Sequence, residues 1–248
     1  MNSNPKVSII IASYNSDKTI SKTLESVVNQ TFQDWECIIV DGMSKDKTLD
    51  IVKEYALKDS RIWYISEPDK GIYDAFNKGW KMAKGEWIHY LGSDDWLTKE
   101  SFTQLIKEAS DIYDVVSGGC WINKIDGSKK RQMSIGFEGC HQAKLTKRSS
   151  IEKYLGFNQK YKIFADFDLY LRMKNNGAKV KNVNTMVAYF SMGGTSQSIS
   201  NLLNCNREYK CIYKENGMNY SILNQLHYLT RTSFSIIYRE IMAILKGK

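Results

Sequence analysis

At 248 residues and 28.6 kDa the chain has the length of one domain, or of one domain with a small appendage, and is long enough to bury a core without staples. Apolar residues at 42%, aromatics at 12% and only 2 prolines exclude disordered, collagen-like and proline-rich classes. The formal net charge of +8 is uneven: residues 1–120 carry 14 Lys+Arg against 19 Asp+Glu, and residues 121–248 carry 21 against 8, so the second half suits an anionic partner or simply keeps the protein soluble.

The first predicted element is a buried strand over residues 7–11, an apolar and β-branched run that leads into the polar turn Ser13-Tyr14-Asn15-Ser16. Leu24, Val27 and Val28 then recur at helical spacing. A second buried strand spans 36–40 and ends at Asp41-Gly42, after which Asp46 is placed to cap a helix with Leu49, Val52 and Tyr55 on its apolar face. Residues 62–65 give a third strand, 72–83 a helix closed by Gly85, and 87–91 a fourth strand ending at Gly92-Ser93-Asp94-Asp95. A helix over 99–110 and a fifth strand over 114–117 follow. Strands apolar on both sides, alternating with helices, predict an α/β fold whose parallel sheet is covered by helices. Ligands of such sheets bind beyond the carboxyl ends of the strands, where Ser13 to Asn15, Asp41, Asp94 and Asp95 cluster.

Beyond residue 120 the pattern is less regular. Residues 120–150 read as loop-like and include the run Lys129-Lys130-Arg131. A helix is predicted over 165–174, one or two strands over 180–190, a flexible turn at Gly193-Gly194-Thr195-Ser196, and mostly helix over 197–246. In that last stretch Phe234, Ile237, Ile241, Ile244 and Leu245, with Arg231, Arg239, Lys246 and Lys248, are amphipathic and basic. Such a segment suits peripheral docking on an anionic membrane, or equally packing on the domain or at a homodimer interface.

The five cysteines, Cys37, Cys120, Cys140, Cys205 and Cys211, are an odd count without Cys-x-x-Cys. They argue against a disulfide framework or a thiolate zinc site and fit a reducing cytosol. No secretory leader and no apolar run of about 18 residues is read, so a cytoplasmic protein without a membrane span is expected. Nucleic acid is not an expected partner, since no helix-turn-helix, zinc-finger or RNA-binding pattern accompanies the basic charge.

Adjacent Asp94 and Asp95 at a strand mouth repel each other unless a proton or cation lies between them, and a hard divalent ion with oxygen ligands is the natural partner. The same pair would also serve as helix N-terminal acids facing the dipole. Asp166 and Asp168, in Phe164-Ala165-Asp166-Phe167-Asp168-Leu169, start a helix. They read either as first-turn acids or as a general base at a pocket wall, and spacing does not choose between the two carboxylates. Of the three histidines, His89 lies within a strand as a packed residue and His227 on the C-terminal helix, leaving His141 beside Cys140. Neighbours in an extended segment face opposite ways, so a Cys140–His141 nucleophile pair is not expected.

Taken together, these segments carry a resemblance. Val7-Ser8-Ile9-Ile10-Ile11-Ala12-Ser13-Tyr14-Asn15, Leu24-Glu25-Ser26-Val27-Val28-Asn29-Gln30-Thr31 and Ile39-Val40-Asp41-Gly42-Met43-Ser44-Lys45-Asp46 come in order. They are followed by Glu67-Pro68-Asp69-Lys70-Gly71-Ile72-Tyr73-Asp74-Ala75-Phe76-Asn77, Gly85-Glu86-Trp87 and Leu91-Gly92-Ser93-Asp94-Asp95. The chain resembles a family 2 glycosyltransferase of the GT-A fold, strongly over residues 5–120. The likeness reaches about residue 196 through His141-Gln142, residues 165–172 and Gly193-Gly194-Thr195-Ser196.

That resemblance implies a Rossmann-like nucleotide-binding sheet, parallel or mixed and flanked by helices. It divides the chain into a catalytic domain over 1–196, with a nucleotide-binding half (1–120) and an acceptor-binding half (121–196), and a C-terminal helical extension over 197–248. Ala12, Ser13, Tyr14, Asn15, Asp41, Lys70, Asp74, Asn77, Ser93 and Asp94 would border the nucleotide-sugar. Asp94 and Asp95 would hold a divalent cation, Mn²⁺ or Mg²⁺, and Asp166 would be the catalytic base. His141, Gln142 and Arg172 would lie on the acceptor side. Two departures stand out: Gly92 occupies the place where the family's Asp-x-Asp motif often has its first acid, and Ala165 the place of a usual Glu. The implied activity is an inverting transfer from a nucleotide-sugar, by family habit a UDP-sugar, to a lipid-linked acceptor, in surface polysaccharide synthesis such as O-antigen or capsule. Two rival readings meet the same residues. A nucleotidyltransferase should show a Gly-rich basic loop after the first strand, which Ser13-Tyr14-Asn15-Ser16-Asp17 lacks. A non-catalytic module of a polysaccharide assembly complex has no need of Asp41, Asp94 and Asp166 together.

Overall fold

A computed structural model of the protein describes residues 4–123, 129–132, 136–192 and 201–221. The chain opens with β1 (Val7–Ser13), α1 (Ile20–Val28), β2 (Trp35–Asp41), α2 (Thr48–Lys58), β3 (Ile62–Ser66), α3 (Ile72–Met82) and β4 (Trp87–Gly92). It continues through β5 (Trp96–Leu97), α4 (Ser101–Lys107), β6 (Val115–Asn123) and β7 (Lys129–Gln132) to two short 3₁₀ turns, Gly136–Glu138 and His141–Ala143. The remaining elements are β8 (Lys144–Lys147), α5 (Arg148–Lys153), α6 (Ala165–Asn175), β9 (Val180–Ser191) and α7 (Leu202–Glu215).

Among the described residues the strands form one mixed sheet of nine, in the order β3-β2-β1-β4-β8-β6-β9-β5, with β7 on β6. β1 to β4 are parallel where they pair. β8 runs antiparallel to both β4 and β6, β9 is parallel to β6, and β5 is antiparallel to β9. The predicted parallel α/β sheet is therefore the first half of a larger mixed one.

Alternation of side chains along each strand divides the apolar residues between two cores. Val7, Ile9 and Ile11 of β1, with Cys37, Ile39, Trp87 and Leu91 of its neighbours, pack under Ile20, Leu24 and Val27 of α1, Val52 of α2 and Phe102 of α4. Ile10 and Ala12, with Ile38, Val40, Ile88 and Tyr90, face Ala75 and Phe76 of α3 and Ala165, Leu169, Tyr170 and Met173 of α6. A one-residue slip in register would exchange the two sets, so the pairing is strongly specified.

The stretch 120–150 departs from its loop-like reading: β6 runs on to Asn123, and β7, β8 and α5 occupy much of the rest. Two causes hid these elements. The run Ser117-Gly118-Gly119 carries register shifts against β9, which break the alternating pattern. β8 reads Lys-Leu-Thr-Lys, and its Lys144 is nevertheless buried.

Of two helix-end readings, one holds at its side chain and one shifts. Asp46 acts as expected, accepting the Thr48 amide at 3.0 Å and the Asp17 amide at 3.1 Å, although Lys47 is the capping residue. Gly85 does not close α3, which ends at Met82 with an extended Ala83. Its role is close approach: a Cβ built there lies 2.6 Å from the Ser8 backbone nitrogen, and the Gly85 amide donates to Ser8 Oγ at 2.8 Å. The predicted turn at Gly193-Gly194-Thr195-Ser196, His227 and the basic amphipathic stretch lie outside the described residues. Among the described residues no helix is long and apolar enough to cross a membrane.

Gly85→Ala should lower stability by about 1–3 kcal/mol, because the obstructing atom is backbone and cannot rotate away. Urea unfolding measures this, and an unchanged midpoint would show that β1 yields at no cost.

Candidate active site

The carboxyl ends of β1, β2 and β4 open on one edge of the sheet, and their loops are laced together. Gly42 donates to the Ser13 carbonyl at 2.9 Å, and the Asn15 amide donates to Ser44 Oγ at 2.9 Å while Asn15 Oδ1 accepts the Lys45 amide at 2.8 Å. Ser16 Oγ and Ser93 Oγ lie 2.7 Å apart. Asn15 reaches this position with φ +48°, a left-handed conformation that Asn tolerates better than most residues. Together Tyr14, Asn15, Ser16, Asp17, Lys18, Thr19, Ser93 and Asp94 line an open cleft of about 620 Å³. Tyr14 stands over it 61% exposed, while Ala12 and Ser13 are buried behind it.

Asp41 is not an open contact. It is fully buried, and its carboxylate accepts the hydroxyls of Ser13 at 3.3 Å and Ser66 at 2.7 Å, the Ser44 amide at 3.0 Å and the Ser44 hydroxyl. A buried carboxylate so surrounded organises the turn beneath the cleft. A ligand reaches it only by displacing one of those hydroxyls.

The two acids after β4 also take different positions. Asp95 is 2% exposed; its Oδ2 accepts Gln142 Nε2 at 2.7 Å and its Oδ1 accepts the Ser191 amide at 2.8 Å. Burial first, then the neighbouring Asp94 charge, pushes its pKa up against those two hydrogen bonds. Asp94 is exposed at the cleft, and its carboxylate accepts no hydrogen bond from another described residue. Gly92 explains part of this arrangement. A Cβ built at Gly92 lies 2.9 Å from Asp95 Oδ2 and 3.0 Å from Asp94 Oδ1, so both carboxylates fold over the space that a side chain there would fill.

The third acid arrives from the other half. Asp166, in the first turn of α6, accepts Tyr73 Oη at 2.9 Å and the Phe167 amide at 2.8 Å on Oδ1, and faces His141 Nδ1 at 3.0 Å on Oδ2. Burial would raise its pKa, but the His141 and Tyr73 hydrogen bonds and the Lys144 charge outweigh it and hold the carboxyl below its ordinary range. Its side chain keeps 25% exposure. Ala165, where a Glu was the family expectation, is fully buried in the second core, a place that would bury a carboxylate. His141 and Gln142 are therefore neighbours in one 3₁₀ turn that tie separate acids: His141 holds Asp166 and Gln142 holds Asp95. Burial raises the Asp94 pKa above its ordinary value.

Three other candidate binding residues hold partners inside the fold. Asn77 is 7% exposed and spends its amide on the Phe157 carbonyl and amide, at 2.8 and 2.9 Å, and on Trp80 Nε1 at 3.0 Å. Asp74 accepts Gln159 Nε2 at 2.7 Å and the exposed Lys70's amide at 2.9 Å, fastening the start of α3. Arg172 donates to Asp168 at 2.8 Å and to the Tyr154 and Gly156 carbonyls at 2.5 and 2.8 Å, so its guanidinium is committed inside the fold. That also separates the two α6 acids: Asp168 pairs internally and Asp166 is the one turned toward His141. The Cys140 thiol meets Cys120 at 2.9 Å rather than His141, and His89 is fully buried, its pKa pulled down to about 4 by burial.

Among the described residues no three His, Cys, Asp or Glu side chains gather as a preformed metal cage. An exposed carboxylate that accepts no hydrogen bond from another described residue still fits a hard ion that takes its remaining oxygens from a diphosphate. Tyr73 and Lys144 were missed in sequence. Tyr73 reads as an ordinary apolar helix position, and Lys144 as a surface charge.

A mixed α/β sheet with acids gathered at its strand ends is the architecture that the comparisons with known proteins place among GT-A glycosyltransferases. A family model described as "Glycosyl transferase family 2" matches residues 8–173, and the chain belongs to that family. It is 32% identical over 212 residues to a PGL/p-HBAD biosynthesis glycosyltransferase of Mycobacterium bovis, covering 79% of this chain and 80% of the relative. Among solved structures, S. aureus TarS 1-349 in complex with UDP-GlcNAc superposes with TM-score 0.70 at 20% identity, over 92% of this chain and 71% of that one. The chain spans 42% of the longer TarS chain. Mannosyltransferase PcManGT from Pyrobaculum calidifontis, in complex with GDP-Man and Mn²⁺, gives TM-score 0.70 at 15% identity, over 100% of this chain and 77% of that one.

Arg172→Met should behave as a stability variant. It leaves Asp168, 2% exposed, without its cation, at a cost of about 3–5 kcal/mol in urea unfolding. A wild-type midpoint would return Arg172 to the list of binding residues.

Proposed function

We propose that the protein transfers a sugar from a nucleotide-sugar to an acceptor hydroxyl with inversion, in polysaccharide-type or glycolipid synthesis. The observation that carries this reading is the turn that holds Asp95 and Asp166 through adjacent side chains, so that the donor-side and acceptor-side acids share one site. The relatives named for glycosyl transfer, and the neighbours holding UDP-GlcNAc and GDP-Man, support a nucleotide-sugar donor. Among nucleotides we favour uridine diphosphate.

In this reading residues 1–120 receive the donor. Tyr14 offers an exposed ring for the nucleobase, and Ser16, Lys18 and Ser93 line the same cleft. Asp94, with Asp95 behind it, would hold a divalent cation that offsets charge on the departing diphosphate. Asp166 does the proton work. Tyr73 and His141 fix its two oxygens, its lowered pKa keeps it ionised at neutral pH, and the carboxylate takes the acceptor hydroxyl's proton as that oxygen attacks the anomeric carbon. A single in-line displacement turns an α-linked donor into a β-glycoside, with the nucleoside diphosphate leaving on the opposite face.

Residues 121–196 would present the acceptor, with His141 shaping its side of the site. A lipid-linked acceptor would place the enzyme in the cytoplasm at the inner face of a membrane, where the basic stretch 230–248 suits anionic headgroups.

A panel of nucleotide-sugars, scored by nucleoside diphosphate release with and without Mn²⁺, identifies the donor. No release from any member, with any acceptor, would leave the non-catalytic module as the better reading. Asp166→Asn should reduce transfer by about 10²–10⁴-fold with donor binding retained; full turnover would remove Asp166 as the base. Asp94→Ala should abolish the Mn²⁺ dependence of donor binding by calorimetry, and an unchanged metal titration would remove it as a ligand.

A further inference from the structure

We propose that Lys144 is a positioning residue for this transfer: its buried ammonium clamps the backbone that leads into His141 and thereby fixes the imidazole on Asp166. The proposal rests on the reading of Asp166 as proton acceptor. Lys144 opens β8 and is 1% exposed. Its Nζ donates to the Phe137 carbonyl at 3.0 Å and the Gly139 carbonyl at 2.6 Å, and lies 3.7 Å from the centroid of the Tyr170 ring. Three N–H groups thus meet three acceptors, two of them on the strand's own approach.

The consequence falls on the residues between. Gly139 is held at its carbonyl by Lys144, Cys140 at its thiol by Cys120, and His141 follows at once with its ring on Asp166. Without the clamp, the residues leading into His141 lose their inner attachment, while Gln142 keeps its own anchor on the buried Asp95. The Lys144 backbone adds a second support, its carbonyl meeting His89 Nδ1 at 2.9 Å.

A structural role alone does not call for lysine. Burying an ammonium is costly, and an apolar side chain of similar length would fill the site without that cost. Among the described residues no carboxylate pairs directly with it: Glu138 meets Lys174, and Asp166 meets His141 and Tyr73. What the charge supplies instead is a fixed positive potential behind Asp166, one of the influences holding that carboxyl low. The groups around the ammonium are Asp166 and Tyr170 of α6, Glu138 and Cys140 of the approach, and Cys120 of β6. Burial pulls the Lys144 pKa down to about 8 against the attraction of those acids, which leaves the ammonium protonated at neutral pH.

Lys144→Met keeps the stem and removes the charge, so it separates clamp from packing. Two readouts are taken on the full chain. The first is the exchangeable imidazole N–H proton resonance of His141, assigned by its loss in His141→Gln. It should be present in the wild type and lost in Lys144→Met, while far-UV circular dichroism and UDP binding stay unchanged. The second is kinetics with the donor found by the panel above: kcat should fall roughly 10- to 100-fold with donor KM within about twofold, the pattern of a misplaced base rather than of a damaged donor cleft. A retained His141 resonance with wild-type kcat would overturn the proposal, as would a kcat loss accompanied by an equal loss of UDP binding. Should Lys144→Met not fold, Lys144→Gln carries the same readouts with an uncharged donor in place. If Asp166→Asn remains active, the base assignment fails, and the resonance still reports whether Lys144 holds His141.

Discussion

The site depends on one short piece of backbone. His141 and Gln142 are consecutive in a 3₁₀ turn, and their side chains diverge to acids that lie 71 positions apart in the chain, Asp95 after β4 and Asp166 at the start of α6. The turn reaches both because β8, which follows it directly, lies antiparallel between β4 and β6. Had the chain placed another parallel strand beside β4, the segment entering it would approach from the opposite edge of the sheet. The antiparallel insertion is therefore what brings a residue pair of the second half to the strand ends of the first.

Electrostatics divides the labour among acids that look alike in sequence. Asp41, Asp95 and Asp168 are buried and satisfied by protein donors. Asp94 is exposed without a protein donor to its carboxylate among the other described residues, and Asp166 keeps partial exposure while fixed by Tyr73 and His141. Satisfied acids set geometry, and open ones remain available to a ligand, since a carboxylate already carrying its hydrogen bonds gains little from another partner. The missing first acid of the Asp-x-Asp pattern fits the same logic. At Gly92 the two following carboxylates occupy the space a side chain would need.

The first half of the fold was readable because its strands are buried on both faces and its helices carry regular apolar stripes. Both signals are local. The strand-end acids were legible as a cluster for the same reason, their positions being fixed by where the apolar runs stop. Which of them faces a ligand was not, because exposure at Asp41 or Asp95 depends on Ser66, Gln142 and Ser191, which are distant in sequence. For Arg172 and Asn77 the sequence shows a guanidinium and an amide near a motif but not the partners inside the fold that each one holds. β8 escaped because a buried lysine inverts the polarity pattern that marks a strand.

The described part of the helical extension supports the start of α6. Glu208 of α7 accepts the amides of Lys162, Ile163 and Phe164, at 2.7, 3.0 and 3.0 Å, immediately before α6 begins. α6 has no side-chain cap of its own, so these donors at its approach would otherwise need solvent. Phe164 and Phe167 also pack on Tyr209 of α7, with ring centroids 4.2 and 5.2 Å apart. Asp166 stands between those two phenylalanines in sequence, and its backbone is consequently held from the α7 side while His141 and Tyr73 hold its carboxylate. A boundary drawn at residue 196 would cut through this support. The first turn of α6 takes its position from an element that follows it by more than thirty residues, which ties α7 to the same packed unit as Asp166.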